Sequence, residues 1–141
     1  MESSWAEQRR ENARLQAEKL AAAQAAETAQ ARGYLRTFVT AAQAAQLPAE
    51  PLVVHARGGK GSVRTPLQGW YLRVDRSMAV DTDGNFYLLQ AHLTLRDRLR
   101  GYTPTPDDPP LVLGYGGRDG ESIDLVDALT RLLPTWREAS S

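Results

Sequence analysis

The stretch FVTAAQAAQLPAEPLVVHA, residues 38–56, changes grammar at Leu47-Pro48. Before that point, from Ser4 to Gln46, the chain is an unbroken run rich in Ala, Gln, Glu and Arg, with no proline and one glycine, Gly33. These residues are strong helix formers, and nothing but Gly33 interrupts them. After it, Gly and Pro punctuate short runs of Val, Leu, Tyr and Trp that read as strands and turns. The boundary predicts an α+β protein with a long N-terminal α-helix, an antiparallel β-meander of about five strands, and a C-terminal helix packed on the sheet. Residues 1–46 are then a helical arm, 47–135 a small α+β domain, and 136–141 a C-terminal tail.

Ser3 or Ser4 is positioned to cap the arm, with Glu7 completing a capping-box pattern from Ser4. Through Trp5, Leu15 and Leu20 the apolar stripe is thin and mostly alanine. Leu15, Ala22 and Ala29 recur every seven residues, but the other core position of that heptad holds Glu11, Glu18 and Ala25, where a coiled coil wants larger side chains. Beyond Gly33 the stripe becomes rich, with Tyr34, Leu35, Phe38, Val39, Ala42 and Ala45 at helical spacing. The pattern reads as one helix, or two hinged at Gly33, whose second half docks on the β domain. The first half projects, either pairing with itself or a partner helix through Trp5, Leu15 and Leu20, or standing as a solvated helix of marginal stability.

In the second part, Leu52–His55 reads as a strand, Arg57–Gly61 as a flexible turn, and Ser62–Thr65 as a return interrupted by Pro66. Gly69–Val74, Met78–Asp81 and Phe86–Ala91 follow as a meander, with Asp83-Gly84 a two-residue hairpin signal. That turn sets Val80 opposite Tyr87 and Met78 opposite Leu89, so these four share a face, joined by Trp70, Leu72 and Val74 across an Asp75–Ser77 loop. The other face, with Tyr71, Arg73, Ala79, Phe86 and Leu88, is expected to be covered by a second helix or left open as a recognition surface. Thr94–Arg100 reads as a short helical turn, Leu111–Leu113 as a last strand, Gly114–Gly120 as a glycine-rich loop, and Ser122–Leu133 as a capped amphipathic helix stopped by Pro134, onto which Trp136 is placed to fold back.

The chain has as many basic as acidic residues, so composition offers no global steering toward nucleic acid or an anionic membrane. The balance is uneven along the chain. Residues 47–80 carry Arg57, Lys60, Arg64, Arg73 and Arg76 against Glu50 and Asp75, while residues 81–141 lean acidic. With no cysteine there is no disulfide framework and no thiolate zinc site. With no apolar leader and no apolar stretch of spanning length, a cytoplasmic protein without a membrane partner is expected.

No catalytic signature stands out. Gly58-Gly-Lys-Gly-Ser62 lacks the contiguous Gly-Lys-Ser/Thr of a phosphate loop and reads as a hairpin tip. Asp81-Thr-Asp-Gly-Asn85 lacks the twelfth-position glutamate of a calcium loop, His92 standing there. His55 and His92, the only imidazoles, sit beside no metal or triad motif, and neither a metal nor a cofactor is expected. Gly114–Ser122, between strand and helix, is the best loop candidate, either as a ligand contact or as the hinge that positions the C-terminal helix, with Arg118 and Asp119 as partner-binding residues. The basic strip Arg57, Lys60, Arg64, Arg73 and Arg76, interleaved with Trp70 and Tyr71, has the composition of a nucleic-acid platform.

Gly69-Trp-Tyr-Leu-Arg73, Ser77-Met-Ala-Val80, Asp83-Gly-Asn-Phe-Tyr87, Asp108-Pro-Pro-Leu111 and Gly117-Arg-Asp-Gly-Glu-Ser122 together resemble a family of small uncharacterised actinobacterial proteins, over about residues 67–129. The resemblance implies no activity. The sequence therefore favours an interaction or assembly subunit over an enzyme, without deciding between them. Nucleic-acid binding through the Arg/aromatic strip is the first alternative, and a small hydrolase or ligand-binding enzyme the second.

Overall fold

A computed structural model describes residues 2–114 and 122–138. Helix α1 runs without a break from Glu2 to Ala44, through Gly33, giving a rod about 65 Å long. Of the two readings of the arm, a single uninterrupted helix is the one observed. Ser4 lies inside the helix and is not its cap. Its C-terminus closes as a Schellman motif. Gln46 takes a positive φ of 55°, the Leu47 N–H donates to the Ala42 carbonyl at 2.8 Å, and the Gln46 N–H donates to that of Gln43 at 3.1 Å. Pro48 then prevents continuation.

The sheet contains β1 (Glu50–Ala56), β2 (Ser62–Tyr71), β3 (Met78–Asp81), β4 (Phe86–Leu88) and β5 (Gln90–Ala91), in the order β4-β3-β2-β1-β5. All pairs are antiparallel except β1 with β5. Pro66 does not end the return strand. It sits in a bulge of β2, where Thr65 Oγ1 donates to the Leu52 carbonyl (2.7 Å) and accepts the Leu67 N–H (3.1 Å). The Tyr71 hydroxyl accepts the Val53 N–H at 3.0 Å across the same irregularity. A proline is tolerated here because the backbone groups a bulge leaves unpaired are satisfied by side chains.

The β3–β4 register differs by one residue from the one the Asp83-Gly84 signal implies. Val80 pairs with Phe86 and Ala79 with Tyr87. The reason is local: the turn has three residues, not two. The Gly84 N–H donates to the Asp81 carbonyl, the Asp81 N–H to the Asn85 carbonyl, and Gly84 takes φ 90°. The Asp81 carboxylate fastens this arrangement by accepting the N–H groups of Asp83 and Asn85, each at 2.9 Å. One extra turn residue exchanges the two faces of β4. At the other end of the meander, the Leu72 N–H donates to the Met78 carbonyl, and Val74, expected in the core, is exposed.

Both faces of the sheet are buried. Trp70, Leu72, Val80 and Phe86 pack under α1 with Ala31, Leu35, Phe38, Val39 and Ala42. Leu52, Val54, Tyr71, Ala79, Tyr87 and Leu89 form a second cluster on the opposite face. Among the described residues no second helix covers that face; the sheet covers it by rolling up. Strands β4 and β5 lie at the two ends of the strand order, yet only Leu89 separates them in the chain. In a flat sheet they would stand about 19 Å apart, four strand spacings, whereas a two-residue step reaches about 7 Å. Leu89 joins the ends directly: its N–H donates to the Ser77 carbonyl and its carbonyl accepts the His55 N–H, both at 2.8 Å.

The rest of the chain wraps this barrel. Helix α2 (Leu95–Arg100) opens with a capping box between Thr94 and Asp97. Strands β6 (Val112–Leu113) and β7 (Ile123–Asp124) pair with each other, and helix α3 (Leu125–Leu132) follows. Helix α3 thus starts three residues later than Ser122, because Ile123 and Asp124 are recruited into the small ladder. Leu125, Ala128 and Leu129 bury against α1 and the sheet. Trp136, at the head of the C-terminal tail, folds back on α3 and joins the core. It is buried edge-on to Tyr34 and donates Nε1–H to Thr130 Oγ1 at 3.0 Å.

Candidate interaction surfaces

Two surfaces stand apart from the packed core. The first is the arm. From Glu7 to Glu27 every residue of α1 is exposed, and burial in the core begins at Ala31. Trp5, Leu20 and Leu15 are 62%, 62% and 42% exposed, so the three candidate arm residues all face solvent. The Arg9 guanidinium lies 4.7 Å from the centre of the Trp5 ring, and Arg14 pairs with Glu11 and Glu18 along the helix. Over residues 4–30 the arm carries four acids and four bases, interleaved. Where the arm leaves the domain, Arg32 pairs with Asp108 at 2.6 Å. Beside this pair runs a shallow groove of about 450 Å³, lined by Ala21, Gln24, Ala25, Thr28 and Ala29.

The second surface is the end of the barrel at the β1–β2 turn. Residues 57–61 form this turn, with positive φ at Gly58 and Gly61, and the Ala56 N–H closes it by donating to the Gly61 carbonyl. Helix α2 is fastened against it. The Arg98 guanidinium donates to the Lys60 carbonyl at 3.4 Å, and the Tyr102 N–H donates to the Arg64 carbonyl at 3.0 Å. Arg57, Lys60 and Arg64 are therefore joined by Arg96, Arg98 and Arg100, all six exposed. A cleft of about 240 Å³ between Arg64, Arg100 and Tyr102 opens on the same side. The cations of α2 were legible only as part of a short helical turn. They belong in sequence to the acidic half of the chain, and folding carries them to the basic one.

The proposed Arg/aromatic strip is not one surface. Trp70 and Tyr71 are adjacent in β2 and point to opposite faces, Trp70 edge-on to Phe38 under α1 and Tyr71 into the barrel. Both are buried and offer no open ring face to a base. Arg73 is half-buried, pairing with Asp75 at 3.5 Å and donating to the Leu113 carbonyl, while Arg76 lies 5.4 Å from the centre of the Tyr71 ring. Of the seven residues, Arg57, Lys60 and Arg64 remain together. Arg118 and Asp119 lie outside the described residues.

Asp75 and Tyr87 both serve turns. Burial works to raise the Asp75 carboxyl, but the Ser77 hydroxyl and N–H, together with Arg73, outweigh it and hold the group below its ordinary range. The Tyr87 hydroxyl is pushed up to about 12, by burial first and then by the Asp81 carboxylate to which it donates. His55 lies in β1 and His92 directly follows β5. Neither lines the clefts at Arg36 and Asp107, at Ala25 and Asp108, or at Arg64 and Tyr102. His55 Nε2 is buried without a hydrogen-bond partner, and no group of three metal-ligating side chains occurs among the described residues. No helix among those residues is long and apolar enough to cross a membrane.

Compared with known proteins, the chain matches no family model, no curated protein and no solved structure.

Proposed function

We propose that this chain is an assembly subunit, in which a barrel head carries a helical arm that pairs with the arm of a second copy. The observation that carries the reading is the exposure of Trp5, Leu15 and Leu20 on a helix whose lower half is anchored in the core. Burying a large apolar side chain stabilises an association by about 1.5–3 kcal/mol, and an isolated helix of this kind is marginal without such burial. The equal number of acids and bases over residues 4–30 favours a homotypic partner, since two neutral arms do not repel. Anchoring matters as well. Residues from Ala31 onward hold the helix axis in place, so the arm does not have to be ordered anew at each encounter.

Sedimentation velocity over a concentration series tests this reading. Full-length protein is expected to show a reversible shift to a larger species. The Leu15→Glu/Leu20→Glu variant, altered only at exposed positions, is expected to remain monomeric, with a melting temperature equal to that of the parent protein at concentrations where the parent is also monomeric. A full-length chain that stays monomeric at every concentration overturns homotypic pairing.

A further inference from the structure

We propose that the barrel end formed by the β1–β2 turn and α2 docks on an anionic phospholipid surface, with Leu95 and Leu99 entering the headgroup layer and the surrounding arginines engaging lipid phosphates. Leu95 and Leu99 are 75% and 71% exposed and four residues apart, which puts them on one side of α2. Exposed leucines at this spacing are out of place on a helix that otherwise reads Arg96-Asp97-Arg98 and ends at Arg100. Around them stand Arg57, Lys60, Arg64, Arg96, Arg98 and Arg100.

The only acid in the two segments that build this end, residues 55–64 and 92–101, is Asp97. Its carboxylate is engaged at the helix start, accepting the Thr94 N–H at 2.9 Å. Among the described residues none of the six cations forms a salt bridge. The acids gather at the far end of the same strands. Glu50 pairs with Gly69 and Gly69 with Asp81, which leads into the turn carrying Asp83. The six cations thus stand together at one end of the strands, whereas Asp83 at the other end lies beside Arg32 and Arg36, and an anionic plane attracts the first end.

Guanidinium groups bind phosphate oxygens in pairs, and apolar side chains among them gain by leaving water for the acyl boundary. A nucleic-acid backbone would satisfy the arginines but give the two leucines nothing, and the aromatic residues of β2 are buried. The observations therefore favour lipid. The proposed contact is one of a surface lying on headgroups, consistent with the lack of a spanning helix among the described residues. It does not depend on the arm.

Co-sedimentation of the full-length protein with phosphatidylcholine vesicles, with and without phosphatidylserine, tests the proposal. Binding is expected only with phosphatidylserine and is expected to fall as salt is raised. Leu95→Gln/Leu99→Gln should weaken it about tenfold. Arg96→Gln/Arg100→Gln, which removes two of the six cations, should weaken binding and lower its salt dependence by about a third. Leu15→Glu/Leu20→Glu should leave it intact, which separates this surface from the arm. Circular dichroism confirms that each variant is folded. No binding to phosphatidylserine vesicles overturns the proposal, as does binding that ignores the leucine substitutions. Tighter binding to single-stranded RNA than to vesicles at the same salt also overturns it and assigns the surface to nucleic acid.

Discussion

The Tyr87 hydroxyl donates to the buried Asp81 carboxylate at 2.9 Å. Asp81 already accepts two backbone N–H groups of the turn it opens, so the tyrosine ties the β3–β4 turn to the barrel interior. Tyr87→Phe removes a hydrogen bond to a charged acceptor and should cost about 1.5–3 kcal/mol, read as a lower denaturant midpoint.

The same pair sets a pH dependence. The folded-state value of Tyr87 is raised from 10.0 to about 12, so the folded protein holds this proton longer than the unfolded chain does. Its contribution to stability is full below pH 10 and is lost as pH rises through about 12. In Tyr87→Phe this part of the alkaline loss should disappear. An alkaline unfolding curve identical in slope to that of the parent protein would show that the pair does not act in this way.

Gly69 faces Asp81 across β2 and β3 so closely that an added Cβ would stand 2.0 Å from the Val80 carbonyl oxygen. The obstacle is backbone, which cannot rotate aside. Gly69→Ala should therefore destabilise by at least about 3 kcal/mol, or prevent folding. By contrast, Gly33→Ala meets nothing within 4 Å and sits inside α1, so it should stabilise by about 0.5–1 kcal/mol. Thermal melts of the two variants should move in opposite directions.

The three tryptophans differ in access: Trp70 and Trp136 are buried, and Trp5 is exposed on the arm. At concentrations where the arms are unpaired, acrylamide should quench one component of the fluorescence strongly and leave the remainder protected. Trp5→Phe should abolish the quenchable component without altering the melting temperature. Persistence of that component would place Trp70 or Trp136 within reach of solvent.

Local chemistry along the chain was enough to determine the helices in outline. Ala, Gln, Glu and Arg in an unbroken run make α1, Leu47-Pro48 marks its end, and Thr94 with Asp97 starts α2, because propensity and capping act over a few residues. The presence of strands and the alternation within β2 and β3 were legible for the same reason. Tertiary structure decided the rest. A single turn residue, stabilised by the Asp81 carboxylate, exchanged the faces of β4. Leu89 rolled the sheet so that it covers its own second face, and Trp136 was drawn into the core. The gathering of Arg96, Arg98 and Arg100 beside Lys60 and Arg64 likewise exists only in the folded chain. Each of these features depends on groups distant in sequence meeting at one place, and residue pattern alone carries no information about which distant groups will meet.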